Sequence, residues 1–430
     1  MRLNVSNFAK IKSADIVVDG ITVIAGDNNT GKSTIGKILF SLFNAVSGIE
    51  DKILEQKVNE IAKSSRTLLR NSISVSGNER IRNAHIMARK IADRFEDVLE
   101  KQYDIDSALV HSIIEEVIIG NLPSGEKTDC QSMIDDISGK VTEILMLSEY
   151  ALVVEVLTSY FGKVFHGQIN SLNQQNNSAL LNLTVKNKNV SLSFEGNECT
   201  QFVAEISLLN KAIYIDDPFI INKLSPYEEL SITEEFLRGL ISGGSETDVM
   251  EGIIGKVLAK EKMTEIYQTL QTVVDGQIIQ KNEEEFYLEN KAFDKPISFK
   301  NLSAGLKSFV IIKMLVEKGA IKEKDVLILD EPEIHLHPQW QVAYAELIVL
   351  LQKYFDLSIV VTTHSPYFLD AIDLFSVKHG LKGRTNYYLS SMENNEVEMV
   401  NVTDNIELIY QKMASPIRIL DSLRHELNNN

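Results

Sequence analysis

The segment GDNNTGKST, residues 26–34, constrains the fold of this chain more than any other stretch. It matches the pattern Gly-x-x-x-x-Gly-Lys-[Ser/Thr], and it lies between the apolar run ITVIAG and the helical pattern STIGKILFSLFNAV. Glycines let a backbone wrap around phosphate oxygens without a Cβ atom in the way, and amides at a helix N-terminus provide a positive cradle. The sequence therefore predicts a phosphate-binding loop between a buried strand and a helix.

The residue types in this loop suit that chemistry. The ammonium group of Lys32 can neutralise the β- and γ-phosphates of a nucleotide, and the hydroxyl of Ser33 can bind Mg²⁺. Thr34 can cap the helix or contact a phosphate. The alternative is an ordinary glycine turn with a solvated lysine. We predict that the nucleotide contacts come from the whole loop, namely Gly26, Asn28, Asn29, Thr30, Gly31, Lys32, Ser33 and Thr34.

A second constraint is the run VLILDEPEIHLHP (326–338), an apolar strand that ends in two adjacent carboxylates. In open α/β sheets, ligands bind at the carboxyl ends of parallel strands. Unpaired buried charge is costly, and a bound Mg²⁺ offsets that cost for Asp330. Glu331 then faces the position of an attacking water, where it can act as a general base.

Three of the histidines that follow these carboxylates are candidates for a role at the site. His364 ends the next strand pattern, SIVVTTHSP (358–366), and we predict that it contacts the γ-phosphate and the attacking water. A capped surface histidine is the alternative. His335 and His337 have the i, i+2 spacing of a metal pair, but no third or fourth ligand is near them in the sequence. We therefore favour a structural or dimer-contact role for these two.

The rest of the chain alternates between strand and helix patterns. After residue 300 the pattern predicts βαβ units and a parallel sheet, with helices at 305–317, 338–354 and 366–373 and strands at 325–330 and 357–362. Hairpins are predicted at 179–196 and 277–289. Helical spacing covers 51–164, where NLPSGEK (121–127) interrupts the pattern, and again 227–275.

The formal net charge of −17 argues against a protein whose whole surface attracts nucleic acid. Residues 61–94 are locally basic, with eight Lys and Arg residues against Glu79 and Asp93. A solvated helical face explains this segment most simply. A nucleic-acid or acidic-partner surface stays open, through Arg80, Arg82, Arg89, Lys90 and Arg94.

The apolar runs are strand-sized, and none approaches the roughly 18 residues that a membrane-spanning helix needs. Cys130 and Cys199 fit neither a metal cluster nor a disulfide framework, and they are typical of ordinary thiols in a reducing cytosol. We therefore expect a cytoplasmic protein with no membrane association.

Four motifs in this order resemble those of the ATP-binding-cassette (ABC) ATPase superfamily. GDNNTGKST resembles its Walker A motif, NLSAGLKS (301–308) its signature loop, LILDEP its Walker B motif and TTHSP its switch-histidine loop. The segments DEPEIHLHP and THSPYFL are most similar to those of the soluble, non-transporter branch. That branch includes the overcoming-lysogenization-defect ATPases, the ATPases of Septu-type and PARIS-type phage defence systems and, more distantly, Rad50, RecF and SMC proteins.

The resemblance implies an α/β fold: a P-loop ABC-ATPase head with a mostly parallel sheet and an N-terminal β-subdomain, interrupted by a large helical insertion. On this basis the head covers 1–50, 165–226 and 276–430, the insertion 51–164 and the second helical segment 227–275.

The resemblance also implies ATP and Mg²⁺ as cofactors and a head-to-tail homodimer or higher homo-oligomer. Each site would join one chain's Walker motifs to the partner's signature loop, which here comprises Ser303, Ala304, Gly305 and Lys307. Ala304 and Leu306 depart from the usual signature. No clear glutamine loop is present, and Asp216 or Asp217 in IDDP (215–218) could take its metal or water role, unless this segment is a plain strand-end turn.

The predicted function is therefore an ATPase whose hydrolysis cycle switches a dimer and controls a separately encoded, nuclease-like effector, in the setting of anti-phage defence that the resemblance implies. We recognise no intrinsic nuclease domain. Two alternatives stay open: a Rad50- or RecF-like DNA repair ATPase, and an ATP-bound scaffold or sensor that sequesters an effector with little turnover.

Overall fold

The computed structural model describes residues 1–430 except 73–77, 102–104, 122–129, 173–176, 226, 244–262, 283–284 and 429–430. Contacts divide the chain into two compact units. The larger combines Met1–Ser47 with Thr158–Asn430, and the smaller comprises Gly48–Leu157. The interruption NLPSGEK predicted at 121–127 lies almost entirely outside the described residues.

The larger unit is built on an 11-stranded mixed sheet. In chain order its strands are β1 (Arg2–Phe8), β2 (Ile11–Val17), β3 (Ile21–Gly26), β4 (Ala179–Val185), β5 (Lys188–Glu195), β6 (Glu198–Ala204), β7 (Ala212–Ile215), β11 (Val326–Asp330), β12 (Ser358–Thr363), β13 (Thr385–Glu393) and β14 (Glu396–Asn401). A separate hairpin sheet holds β8 (Gln277–Asn282), β9 (Glu285–Glu289) and β10 (Ile297–Ser298). Both predicted hairpins are confirmed.

The strand order of the large sheet is β6-β5-β4-β1-β2-β14-β13-β3-β12-β11-β7. From β13 to β7 every neighbouring pair is parallel, whereas β6, β5, β4, β1 and β2 form an antiparallel meander. The predicted α/β head with an N-terminal β-subdomain is confirmed. The expectation of a mostly parallel sheet was wrong, because the antiparallel N-terminal strands join the same sheet: among the described residues, five of its neighbouring pairs are parallel and five are antiparallel. Parallel pairing is confined to the strands from β13 to β7, among which β3 precedes the phosphate loop, and to the β14–β2 pair.

The parallel half is buried on both faces, as its sequence requires. Strands β3, β7 and β11 consist entirely of buried residues, and their apolar, β-branched composition is typical of strands covered by helices on each side. Register places Thr362 beside Asp330, Thr363 beside Ala25 and Leu329 beside Ile215. The carboxyl ends of β3, β7, β11 and β12 therefore meet at one edge of the sheet.

The helices of the larger unit are α1 (Lys32–Val46), α6 (Glu149–Val164, which spans the boundary between the units), α7 (Ile232–Ser242), α8 (Thr264–Gln271), α9 (Ala304–Glu317), α10 (Pro338–Phe355), α11 (Pro366–Lys378), α12 (Glu407–Met413) and α13 (Ser415–Asn428). The helices predicted at 305–317 and 338–354 are confirmed to within one residue, and α11 extends five residues beyond its predicted end. Within the predicted helical segment 227–275, residues 244–262 lie outside the described part of the chain.

The smaller unit is helical, with α2 (Ile49–Ser72), α3 (Asn78–Glu100), α4 (Ser107–Asn121) and α5 (Gln131–Leu145). Its core is lined by residues at helical spacing, such as Ile91 and Phe95 of α3 and Ile114 and Ile118 of α4. No single helix among the described residues is long and apolar enough to cross a membrane. By length and composition alone, the bent pair of α5 and α6 passes the same test together.

Candidate active site

The phosphate loop runs from β3 into α1 with the backbone shape that its glycines permit. Gly26 has φ 154°, and a Cβ atom there would lie 2.6 Å from the carbonyl oxygen of Ser390 on β13. Gly31 has φ 74° and directly precedes the first residue of α1. The hydroxyl of Ser390 also donates a hydrogen bond to the carbonyl of Thr30. The loop is thus held against the neighbouring strand, with its amides at the start of a helix.

Lys32 lies beneath this loop and is 4% exposed. Its Nζ atom donates hydrogen bonds to the carbonyl oxygens of Gly26, at 3.1 Å, and Asp27, at 2.8 Å. It also lies 3.2 Å from Oε1 of Glu331. A buried ammonium that is held only by carbonyl oxygens and one carboxylate is well placed to meet a phosphate anion.

Asp330 ends β11 and receives three hydroxyl donors. Ser33 Oγ lies 3.0 Å from its Oδ1 atom, and Tyr214 Oη donates to its Oδ2 atom at 2.6 Å. Thr362 Oγ1 on the neighbouring strand also donates to Oδ1. Sequence reasoning missed Tyr214. Its signal was an aromatic residue with a polar tip inside the buried strand AIYI, next to the carboxylate strand.

Asp216 lines the same cleft as Asp330. Burial, and then the negative charge of Asp330, raises the pKa of the Asp216 carboxyl. Asp217, the other candidate in IDDP, is not among the residues that line this cleft: its Oδ1 atom accepts a hydrogen bond from the backbone N of Phe219, at 2.8 Å, and so caps the short helix Pro218–Lys223. Of the two candidates in IDDP, Asp216 is the one placed at the cleft.

These oxygen donors fit a magnesium ion. The hydroxyl of Ser33 and the carboxylates of Asp330 and Asp216 are hard ligands of the kind that Mg²⁺ prefers. A divalent cation would also relieve the repulsion that raises the pKa of Asp216. Among the described residues, no cluster of three or more His, Cys, Asp or Glu side chains is placed to hold a metal without help from hydroxyl groups or substrate oxygens.

Glu331 follows Asp330 with φ 48°, in the left-handed region that non-glycine residues seldom occupy. Its backbone N donates to the carbonyl oxygen of Thr362, at 3.2 Å, and to Thr362 Oγ1, at 2.9 Å, which holds this conformation. Its side chain lies between Lys32 and His364, with Oε2 at 3.6 Å from His364 Nδ1. Strained backbone of this kind is often found at functional sites.

His364 lies just beyond the end of β12 and is partly exposed. Its backbone N donates a hydrogen bond to Glu333 Oε1 at 3.0 Å, and its Nδ1 atom lies 3.7 Å from the same oxygen. Glu333 was not singled out from the sequence, although it stands two residues after Glu331 in DEPE. It is nearly inaccessible to solvent, and desolvation raises the pKa of its carboxyl.

The predicted loop and strand-end residues come together in one cleft of about 400 Å³. The residues that line it are Asn28, Asn29, Thr30, Gly31, Lys32, Ser33, Thr34, Asp216, Asp330, Glu331 and Ile334. The cleft combines an ammonium and a helix N-terminus with carboxylates that lie close to both. This arrangement can hold a polyphosphate together with a divalent cation.

The signature-like loop lines a different cleft, of about 390 Å³. Its lining residues are Ser303, Ala304, Gly305, His335, His337, Gln339 and Trp340. Ser303 caps α9, since its Oγ atom accepts a hydrogen bond from the backbone N of Leu306 at 3.3 Å. A Cβ atom at Gly305 would lie 2.9 Å from the carbonyl oxygen of His335 and 3.1 Å from the Trp340 ring, so the backbone packs there too closely for any side chain.

Lys307, the fourth residue predicted for the signature loop, is not among the residues that line this cleft. It is 2% exposed, and its Nζ atom donates to Asn222 Oδ1 at 2.9 Å and to the carbonyl oxygen of Lys300 at 3.3 Å. The ammonium also lies 4.9 Å from the centre of the Phe219 ring. Burial lowers the pKa of Lys307. This lysine therefore holds α9 to its own chain.

His335 and His337 have the structural placements that were favoured from the sequence. His337 caps α10, where its Nδ1 atom accepts from the backbone N of Gln339 at 3.4 Å. His335 packs edge-to-face on Phe219, with 5.6 Å between ring centres. Both line the cleft of the signature-like loop, which also keeps the dimer-contact interpretation open.

The basic residues of α3 are divided between internal pairs and solvent. Arg94 pairs with Glu116 at 2.9 Å, and Lys90 donates to Asn121 Oδ1 at 2.6 Å, so both side chains already have partners on α4. Arg82 and Arg89 are exposed. The side chain of Arg80 lies outside the part of the chain that the structure describes.

Comparison with known proteins adds a partial match. A family model described as "AAA domain, putative AbiEii toxin, Type IV TA system" matches residues 167–370, which contain the carboxylate strand and His364 but not the phosphate loop. The Septu protein PtuA of Bacillus thuringiensis is 38% identical over 88 residues, covering 17% of this chain and 22% of that protein. The chain thus spans about a fifth of the length of this curated relative. The chain resembles the ABC-type ATPases.

Solved structures similar to this chain include an SMC head bound to the C-terminal winged-helix domain of ScpA. It has a TM-score of 0.40 at 13% identity and covers 95% of this chain and 98% of that one. The SMC head domain from Thermotoga maritima has a TM-score of 0.39 at 12% identity, with 93% and 98% covered. Because these scores are low, the resemblance to ABC-type ATPases rests on the motifs, the sheet and the cleft.

Proposed function

We propose that this chain hydrolyses ATP in the presence of Mg²⁺ and that two copies form the complete sites. The observation that carries the proposal is the single cleft that brings together Lys32, Ser33, Asp330 and Glu331, with His364 beside Glu331. Phosphoryl transfer to water needs little beyond positioning and charge stabilisation, and these side chains supply both.

In this mechanism the amides of residues 28–34 and the Lys32 ammonium bind the β- and γ-phosphates. Ser33, Asp330 and Asp216 would hold Mg²⁺, which neutralises charge that develops on the phosphate oxygens. Glu331 orients the attacking water and accepts its proton. The partly exposed His364 imidazole, beside Glu331, would contact the γ-phosphate.

The separation of the two clefts supports the dimeric part of this proposal. Ser303 and Gly305 line a cleft that shares no residue with the phosphate cleft of the same chain. The N-terminus of the 14-residue helix α9 and the Ser303 hydroxyl form a second anion-binding feature. In a head-to-tail pair, this feature would meet the γ-phosphate bound by the partner. Nucleotide binding would then join the two chains, and hydrolysis would release them.

A complementation experiment tests both parts of this proposal. We expect Lys32→Ala and Ser303→Arg each to lose ATP turnover, because each removes one half of every site. A mixture of the two variants should regain about a quarter of wild-type turnover, since about half of the dimers are mixed and each mixed dimer has one intact site of two. No turnover by the wild type would contradict the ATPase assignment. Wild-type turnover by Ser303→Arg would contradict only the dimeric site.

We also propose that this switch controls a separately encoded effector in phage defence. The support is the sequence similarity to a Septu protein over 88 residues. Purification of the Glu331→Gln variant from its native host, with analysis of bound protein and nucleic acid, tests this. Recovery of no partner under conditions that trap ATP would contradict it.

The exposed Arg82 and Arg89, seven residues apart on α3, favour nucleic acid as a second candidate ligand. Binding through phosphates weakens steeply with salt. We expect Arg82→Glu/Arg89→Glu to weaken DNA or RNA binding and to reduce its salt dependence, whereas Arg94→Glu, whose arginine already pairs with Glu116, should change it less. Equal effects of the two substitutions would contradict an interface at this face.

A further inference from the structure

Glu333 is a buried carboxylate that the proposed hydrolysis steps do not use. It is 2% exposed, and among the described residues its Oε2 atom has no hydrogen-bond partner. A carboxylate in such surroundings destabilises the fold relative to an apolar side chain of similar size. Its presence next to the candidate site therefore needs a local explanation.

The other oxygen of Glu333 has a defined structural contact. Oε1 accepts hydrogen bonds from Thr363 Oγ1 and from the backbone N of His364, the latter at 3.0 Å. Thr363 Oγ1 in turn accepts from the backbone N of Ser365 at 3.0 Å. One carboxylate oxygen thereby fixes the three-residue turn that carries His364.

Gln341 of α10 joins this turn to the segment after Glu333. Ser365 Oγ donates to Gln341 Oε1 at 2.8 Å, and Gln341 Nε2 donates to the carbonyl oxygen of Leu336 at 3.1 Å. Thr363, Ser365 and Gln341 are all buried. A buried network with good geometry rigidifies the groups that it joins. The turn therefore has little freedom to move relative to β11.

The imidazole of His364 lacks comparable support. It is 44% exposed, and its Nδ1 atom lies 3.6 Å from Glu331 Oε2 and 3.7 Å from Glu333 Oε1, beyond the length of a good hydrogen bond. The position of the imidazole is therefore set by the backbone of His364. The backbone N of this residue donates its hydrogen bond to Glu333.

We propose that Glu333 is a positioning residue, whose Oε1 atom anchors the Thr363–His364 turn so that the His364 imidazole faces Glu331. This inference rests on the proposed ATPase function, because His364 is the group through which Glu333 acts. The role needs an acceptor at Oε1 and does not need a negative charge, since glutamine offers the same acceptor in the same shape.

The test compares ATP affinity, kcat and KM for the wild type, Glu333→Gln, Glu333→Leu and His364→Ala, and for Glu333→Leu combined with His364→Ala. We expect Glu333→Gln to keep kcat within about threefold of wild type. Glu333→Leu should lower kcat by about tenfold or more, because it removes both hydrogen bonds that fix the turn, with ATP affinity within about twofold. The matched control Glu323→Leu removes an exposed carboxylate before β11 and should leave all three quantities unchanged.

The double variant separates positioning from general structural support. If Glu333 acts through His364, Glu333→Leu should cause no further loss in the His364→Ala background. The inference would be overturned if the two substitutions lowered kcat by factors that multiply in the double variant, or if Glu333→Leu kept the wild-type kcat. Either result would leave the ATPase proposal intact. Absence of turnover in the wild type would overturn both. If Glu333→Leu does not fold, Thr363→Val removes one donor to the same oxygen and is tested in the same two backgrounds, with the same criteria.

Discussion

Tyr214 offers a sharp test of how the metal site is built. Its hydroxyl donates to Asp330 Oδ2 at 2.6 Å, from a side chain that is 1% exposed. Burial, and then the charge of Asp330, raises the pKa of Tyr214, so the hydroxyl keeps its proton and remains a donor at neutral pH. Tyr214→Phe removes this donor and leaves the ring packing in place.

The free-energy cost of this substitution can be estimated in two independent ways. A hydrogen bond to a charged group contributes about 1.5–3 kcal/mol. Loss of a hydrogen bond that orients a metal ligand typically costs about 10–100-fold in metal affinity, which corresponds to about 1.4–2.7 kcal/mol. The two ranges agree. We therefore expect Tyr214→Phe to raise the Mg²⁺ concentration for half-maximal ATP turnover by about 10–100-fold.

The assay is a Mg²⁺ titration of ATP turnover at saturating ATP. The matched control is Tyr387→Phe, which removes a similar hydrogen bond from Tyr387 Oη to Asp373 Oδ1, at 2.9 Å, between β13 and α11. The control should lower stability without shifting the Mg²⁺ dependence. The reasoning is refuted if Tyr214→Phe leaves the Mg²⁺ dependence unchanged, or if Tyr387→Phe shifts it equally.

Four further predictions can be checked separately. Lys32→Ala should abolish ATP binding measured by calorimetry, because it removes the buried ammonium of the phosphate loop, and retained affinity would contradict this. Glu331→Gln should bind ATP without turnover and elute as a dimer only with ATP, so turnover at the wild-type rate would rule out its role as the base. Gly305→Val should lower the free energy of unfolding by about 1–3 kcal/mol, because its side chain meets His335 and Trp340, and an unchanged urea midpoint would contradict this packing. Burial raises the pKa of the Cys199 thiol from 9.0 to about 11, so between these pH values the folded state keeps a proton that the unfolded state loses. The free energy of unfolding should therefore fall as the pH rises from 9.0 to about 11, and it should fall less in Cys199→Ala. Equal slopes in the two proteins would exclude this thiol as the cause.

Much of the parallel half of the fold could be predicted because its signals are local. Buried strands such as VLILD are apolar throughout, and Pro338 and Pro366 mark the starts of α10 and α11. The rule that ligands bind at the carboxyl ends of parallel strands then brings Gly26, Asp330 and the region of His364 to one edge. The extent of the antiparallel meander was less predictable, because pairing between β1 and β4 joins residues that are far apart in the sequence.

Motif spacing does not specify side-chain direction, and this limits how far the site could be predicted from the sequence. Asp216 and Asp217 are adjacent, yet Asp216 lines the cleft while Asp217 caps the helix Pro218–Lys223, and the sequence does not show which of the two takes each place. The placement of Lys307 has a related cause. Helix α9 is buried along almost its whole length, from Gly305 to Val316, so only its first turn can reach the cleft that Ser303 lines. A lysine one turn later must pack within its own chain, and it does so with Asn222 and Phe219. If α9 contacts a nucleotide on a second subunit, we expect the contact at its cap and first turn, where Ser303 and Gly305 lie.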